Sequence, residues 1–166
     1  MFKIGDVVVY SASGVCRVED ICKKSFGSFS ANYYVLKPLM QNGSTVFVPT
    51  ENASLTSKIH PVLTKEQFLC AFSQAKGSDT IRPENEFERR EKFGEILESG
   101  NRCALMLMIY DLKNLAKEQQ QNSRRLHIAD DKLLNTAENM LFEEVAYVFE
   151  IEKTQAPEFL KEQFEK

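Results

Sequence analysis

The 166-residue sequence has no tryptophan and no long apolar run. A membrane helix needs about 20 consecutive apolar residues. No stretch approaches that length, which excludes a spanning helix. The start, MFKIGDVVVY, has no long apolar core and no small-residue cleavage site, and Asp6 interrupts it, so no signal peptide is predicted. Cys16, Cys22, Cys70 and Cys103 are scattered, without a C-x-x-C. His60 and His127 lie far from the closer cysteine pair. This argues against zinc and predicts buried or half-buried thiols in a reducing cytosol. There is no Gly-rich phosphate loop, no G-x-S-x-G and no H-E-x-x-H. Enzymes built on those motifs are excluded, and no catalytic residue, metal or cofactor is expected. Positive charge is not in excess: 21 Lys and Arg stand against 24 Asp and Glu, a formal net charge of −3. Binding nucleic acid by bulk charge requires a basic protein. Contact here needs a local patch or help from another protein.

The first fifty residues read as strands. In 4–21, IGDVVVYSASGVCRVEDI, a Gly-Asp turn pair precedes Val7, Val8, Val9 and Tyr10, and alternation resumes at Val15 after a polar gap. This predicts two strands joined by a short turn. Residues 22–32 are polar and predicted flexible. Residues 33–39, YYVLKPL, form the next strand, which Pro38 ends or places at an edge. Asn42-Gly43 is a turn signal. Residues 45–49, TVFVP, are the fourth strand. Four or five short antiparallel strands in so few residues fit a small Tudor- or SH3-like barrel. Such a barrel is marginal by itself and should pack on the rest or on a partner.

The apolar period then changes to that of helices. Thr64 and Gln67 form a capping box before Phe68, Leu69, Ala71, Phe72 and Ala75, and Gly77 ends that helix. Pro83 suits a first helical turn, leading to Phe87, Phe93, Ile96 and Leu97. A third helix is predicted over 102–119 and a fourth over 129–149. Asp130 and Asp131 sit at the positive end of the fourth helix dipole. Pro157 separates a short amphipathic tail. The expected fold is α+β: an N-terminal barrel domain over 1–55, a linker over 54–63 and an all-α bundle over 64–166.

With no enzyme motif, function must reside in surfaces. If Val46 and Val48 point inward, Phe47 lies on the opposite face as an exposed aromatic anchor. The alternative is that it packs under the loop at 23–31. Glu143-Glu144 reads as a solvated or helix-pairing feature, His127 as near a helix cap and His60 as linker. Arg89, Arg90 and Lys92 form one basic cluster, diluted by Glu86, Glu88 and Glu91. Arg124 and Arg125 form another, with Lys132 one turn into the last helix. Such groups are solvated faces unless they converge in space, where they could hold phosphates without reading sequence.

The order of these motifs carries a resemblance. F-K-I-G-D-x-V-V-Y-x-x-x-G-V at 2–15, Y-Y-V-L-K at 33–37 and V-x-V-P-x-E-N at 46–52 resemble the CarD/CdnL family of bacterial transcription regulators. So do R-R-x-x-F-x-x-x-L-x-S-G at 89–100 and the run from Arg125 to Ala146. The resemblance implies a Tudor-like module that docks on the RNA polymerase β subunit. It also implies a helical module that reaches promoter DNA at the upstream edge of the melted bubble and stabilises the open complex without catalysis. The family's docking positions map near Lys24, still basic, and onto Phe47, with Phe26 beside them. The resemblance implies that basic residues hold phosphates, and the basic clusters make Arg89, Arg90, Lys92, Arg124, Arg125 and Lys132 the expected DNA contacts. Its minor-groove aromatic, usually Trp, falls on Glu86 or Phe87, depending on alignment. Phe could wedge without the indole N–H donor; Glu would oppose the DNA backbone. The implied partners are the polymerase β subunit and promoter DNA, with no membrane and no small-molecule substrate, in the cytoplasm. A protein–protein adaptor with no DNA role is the other reading, favoured by the acidic net charge and the missing Trp.

Overall fold

The structure is a computed structural model that describes residues 1–40, 42 and 44–165, apart from the side chains of Ala12, Phe26 and Phe29. The β-branched run of β1 (Val7–Tyr10) turns through a 3₁₀ segment, Ser11–Ser13, into β2 (Val15–Phe26). The positive φ of Gly14, 66°, fits the glycine at this turn. Then come β3 (Phe29–Pro38), β4 (Val46–Pro49), a single helical turn α1 (Ala53–Thr56) and β5 (Ile59–Pro61). These elements lie in one compact unit, Met1–Val62. All strand pairs are antiparallel, in the order β4-β3-β2-β1-β5. Val8, Cys16, Val18, Tyr34, Leu36, Val48 and Ile59 form a core cluster, flanked by Phe2, Tyr10, Val46 and Leu55.

Two expectations change in this unit. Residues 22–32 are not a flexible loop. Cys22–Phe26 and Phe29–Asn32 extend the β2–β3 hairpin, with Lys23 opposite Asn32 and Phe26 opposite Phe29. Backbone ladder bonds need no apolar side chains, and Gly27, at φ +64°, supplies the first residue of a two-residue turn. Residues 54–63 are likewise not a linker. Asn52 caps α1 by accepting from the Leu55 N–H at 3.2 Å, and His60 pairs with Val9 in the ladder between β5 and β1. The Asn42-Gly43 turn falls at Gln41 and Gly43, outside the described residues. A β-bulge also matters. Val18 faces Leu36 and Asp20 faces Val35, so Glu19 is the extra residue. The inward–outward alternation is reversed beyond it.

The second unit, Leu63–Lys166, contains α2 (Lys65–Lys76), α3 (Glu86–Ser99), α4 (Arg102–Gln121), α5 (Ile128–Phe149), a 3₁₀ turn Lys153–Gln155 and α6 (Ala156–Glu165). The Thr64–Gln67 capping box forms as the spacing predicts. Pro83, however, lies before α3. The cap there is Asn85, whose Oδ1 accepts from the Glu88 N–H at 2.8 Å. Helix α4 packs on α2 and α5, α3 on α4 and α5, and α6 on α2 and α5. Phe68, Phe93, Met108, Leu112 and Val145 are among the fully buried side chains. Phe68, Phe149 and Phe159 form a run of ring contacts across α2, α5 and α6. Of the cysteines, Cys70 is exposed, contrary to expectation, because its position on α2 lies off the buried stripe.

Buried charges hold the helices and their connections. Glu143 and Glu144 are buried and pair between elements, so the solvated reading does not hold. Arg102 donates to both Glu144 oxygens, at 2.7 and 2.9 Å, and Glu144 also accepts from the Leu63 N–H at 3.0 Å. Lys153 donates to Glu143 at 2.9 Å, and Asp111 accepts from the Ile81 N–H at 2.8 Å. Removing one partner of such a pair strands a charge in low dielectric. Glu144→Ala is therefore expected to lower unfolding free energy by about 3–5 kcal/mol, read by urea titration of helical ellipticity. Lys161→Ala, which removes an exposed pair with Glu158, should change it by about 0.5 kcal/mol or less.

Candidate functional site

The first candidate surface is on the sheet. Val46 and Val48 both join the core, so Phe47, between them, faces the other side. It is half-buried, opposite Val35 in the ladder. The Glu19 bulge matters here: it moves Cys22 and Lys24 to the face opposite Val18. The Lys24 Nζ consequently lies 3.9 Å from the centre of the Phe47 ring. A cation over a ring face is worth about 0.5–2 kcal/mol. Neither the fully exposed anchor nor packing under a loop describes Phe47. It is a half-covered ring carrying a positive charge, on regular strands. Phe26 belongs to the same hairpin, and its side chain lies outside the described residues.

The second candidate surface is at the start of α3 and α5. The basic residues sort into three environments. Arg89 is not on the solvent face; it is buried. Its Nε donates to Asp130 Oδ1 at 3.1 Å and its Nη2 to Oδ2 at 2.6 Å. The hydrogen bond that Arg89 donates to Asp130 raises the guanidinium further above its already high range, so Arg89 stays charged and occupied. This corrects the expectation of Arg89 as a phosphate contact, because a bidentate buried pair leaves no fork for a phosphate. Arg90 and Lys132, by contrast, are exposed and converge. Both line a cleft of about 320 Å³, with Ala129, Leu133 and Thr136. Lys92 is exposed but lines a different groove, with Arg82, Glu88, Glu91 and Glu95. Arg124 and Arg125 are exposed in the connection that leads into α5.

Phe87, in the first turn of α3, is 75% exposed. The neighbouring Glu86 is occupied: its Oε1 accepts from Arg90 Nη2, and His127 Nδ1 lies 3.4 Å from the same oxygen. Of the two alternatives for the aromatic position, Phe87 presents a ring to solvent and Glu86 folds back onto Arg90. Asp130, Glu86 and His127 build this site by pairing with or approaching its charged groups, a role that composition does not assign them. The i, i+4 spacing of Glu86 and Arg90 was the available signal. No comparable signal exists for Arg89 and Asp130, which are 41 residues apart.

Comparison with known proteins agrees with this two-part architecture. Residues 2–63 match the CarD-like/TRCF RID domain family, the span of the five-stranded unit. The helical unit is covered by a relative from Bacillus subtilis (strain 168), named "Putative transcription factor YdeB". It is 29% identical over 166 residues, which cover 96% of this chain and 99% of the relative. The chain is thus similar to the CarD-like/TRCF RID domain family over its five-stranded unit, and over nearly its whole length to a protein named as a putative transcription factor.

Burial separates two adjacent arginines into different roles. Arg89→Ala should lower the unfolding free energy of the helical unit by about 3 kcal/mol or more, because Asp130 stays buried without its partner. Arg90→Ala removes an exposed i, i+4 pair and should cost about 0.5 kcal/mol or less. Denaturant titrations of the two variants check this directly.

Proposed function

We propose that this protein docks on the RNA polymerase β subunit through the Lys24–Phe47 face and stabilises the promoter open complex through the starts of α3 and α5. The observation that carries the DNA half is the convergence of Arg90 and Lys132 on one cleft, with an exposed Phe87 three residues before Arg90. In this reading the two cations hold phosphates of the upstream fork. Phe87 inserts at the distorted step, where unstacking costs a few kcal/mol. Arg124 and Arg125 extend the phosphate contact from the loop before α5, and Lys92 takes a peripheral place because acidic neighbours surround it. Arg89 acts indirectly, by holding α3 against α5.

Docking uses Lys24 and Phe47, with Phe26 as a third contact on the hairpin. A cation held over a ring gives an aromatic hot spot with a charge of fixed position. The protein would act where the polymerase acts, in the cytoplasm, with no cofactor and no chemical step. A second reading, an adaptor without DNA contact, draws on one specific observation: Glu86 already occupies Arg90. The net charge of −3 points the same way.

Two variants separate the readings. Arg90→Glu with Lys132→Glu should shorten the open-complex lifetime by about tenfold and leave β-subunit affinity unchanged. Unchanged lifetime would establish the adaptor. Phe47→Ala should weaken β-subunit binding by about tenfold in a pull-down or titration with isolated β. Full affinity in that variant would remove the sheet face from the docking role.

A further inference from the structure

Ile128 is the first residue of α5 and is 88% exposed. A single exposed isoleucine is ordinary, but this one has a particular place. Ile128 and Lys132 are four residues apart and share a face of α5. Phe87 and Arg90 are three apart and share a face of α3. Arg90 and Lys132 line the same cleft. Each exposed apolar side chain therefore stands one turn ahead of one of the cleft's two cations. The 3.4 Å approach of His127 to Glu86, the residues immediately before Ile128 and Phe87, sets the two helix starts at the same level.

We propose that Ile128 is a second apolar contact to promoter DNA, acting with Phe87 as a pair of prongs ahead of the cleft. The inference rests on the DNA-contact reading above. Charge complementarity selects the occupant. The two cations call for phosphates, and the two apolar groups call for base faces, which are available together where a duplex is opening. Isoleucine has no π face with which to stack. It acts by van der Waals contact against an unstacked base or sugar, as aliphatic wedges do.

The test uses the full-length protein, RNA polymerase and a promoter, and measures open-complex lifetime after a competitor challenge. Ile128→Ala and Phe87→Ala should each shorten it by about threefold or more. The double variant should lose less than the product of the two, because contacting groups on one surface are not additive. Ile128→Leu should restore most of the lifetime. β-subunit affinity and helical ellipticity should be unchanged throughout. A normal lifetime in Ile128→Ala, while Arg90→Glu with Lys132→Glu remains defective, overturns the Ile128 assignment and leaves the DNA reading standing. If the charge reversal is also silent, the DNA reading falls, and this assignment with it. Strictly multiplicative single effects overturn the pairing. Sedimentation of wild type and Ile128→Ala covers the remaining occupant: self-association lost in the variant would assign Ile128 to a second copy of the chain and overturn the proposal.

Discussion

The ion pair between Arg89 and Asp130 is the constraint on which the candidate DNA surface depends. A buried ion pair adds little net stability, since desolvation offsets most of its attraction. What it supplies is geometry. The bidentate arrangement fixes distance and orientation together, and it joins the first turn of α3 to the first turn of α5. Asp130 also sits where the helix dipole favours a carboxylate, so its charge is stabilised from two directions. With these turns locked, Arg90 and Lys132 share a cleft, and Phe87 and Ile128 stand ahead of it. If Arg89 were a surface phosphate contact instead, no buried ion pair among the described residues would join α3 to α5, and only the exposed Glu86–His127 approach would remain between their starts.

The same device recurs through the helical unit. Glu144 joins Arg102 to the N–H of Leu63, Asp111 holds the N–H of Ile81, and Glu143 holds Lys153. In each case a buried carboxylate from a long helix fixes a connecting segment. Among the described residues every buried side-chain polar atom has a partner, as a low-dielectric interior requires. The sheet unit achieves rigidity differently, through backbone ladders, and its critical feature is one inserted residue. Without the Glu19 bulge, Lys24 would share the face of Val18 and point away from Phe47.

Local features of this chain were legible in its sequence and non-local ones were not. The Thr64–Gln67 capping box, the strands around Tyr10 and Tyr34, and the apolar stripes of α4 and α5 follow from spacing within one element. The α+β division followed from the change of period. The bulge is a property of pairing between two strands, which neither strand reveals alone. The hairpin at 22–32 resembles a loop in sequence because its Lys, Ser and Asn content has no apolar alternation, while its stability lies in the backbone. Arg89 looked like its neighbour Arg90 because composition cannot show which of two adjacent arginines turns inward. A carboxylate 41 residues away decides that.

The electrostatics of the cleft give the proposed mechanism its division of labour. Arg90 already has a carboxylate partner in Glu86, so a phosphate arriving at the cleft replaces one anion with another. That exchange gains far less than neutralising an unpaired cation, and the chain as a whole repels DNA with its net charge of −3. Free protein should therefore bind promoter DNA poorly. Docking on polymerase changes the arithmetic, because a tethered contact experiences an effective concentration on the order of millimolar. In the proposed mechanism a weak cleft would then suffice, and it would have an advantage: it would engage only where the polymerase carried it and would not titrate onto the large excess of non-specific duplex. The acidic surface and the Glu86–Arg90 pair, which first argued for a protein-only adaptor, are thus equally the properties of a DNA contact meant to act only in the polymerase complex.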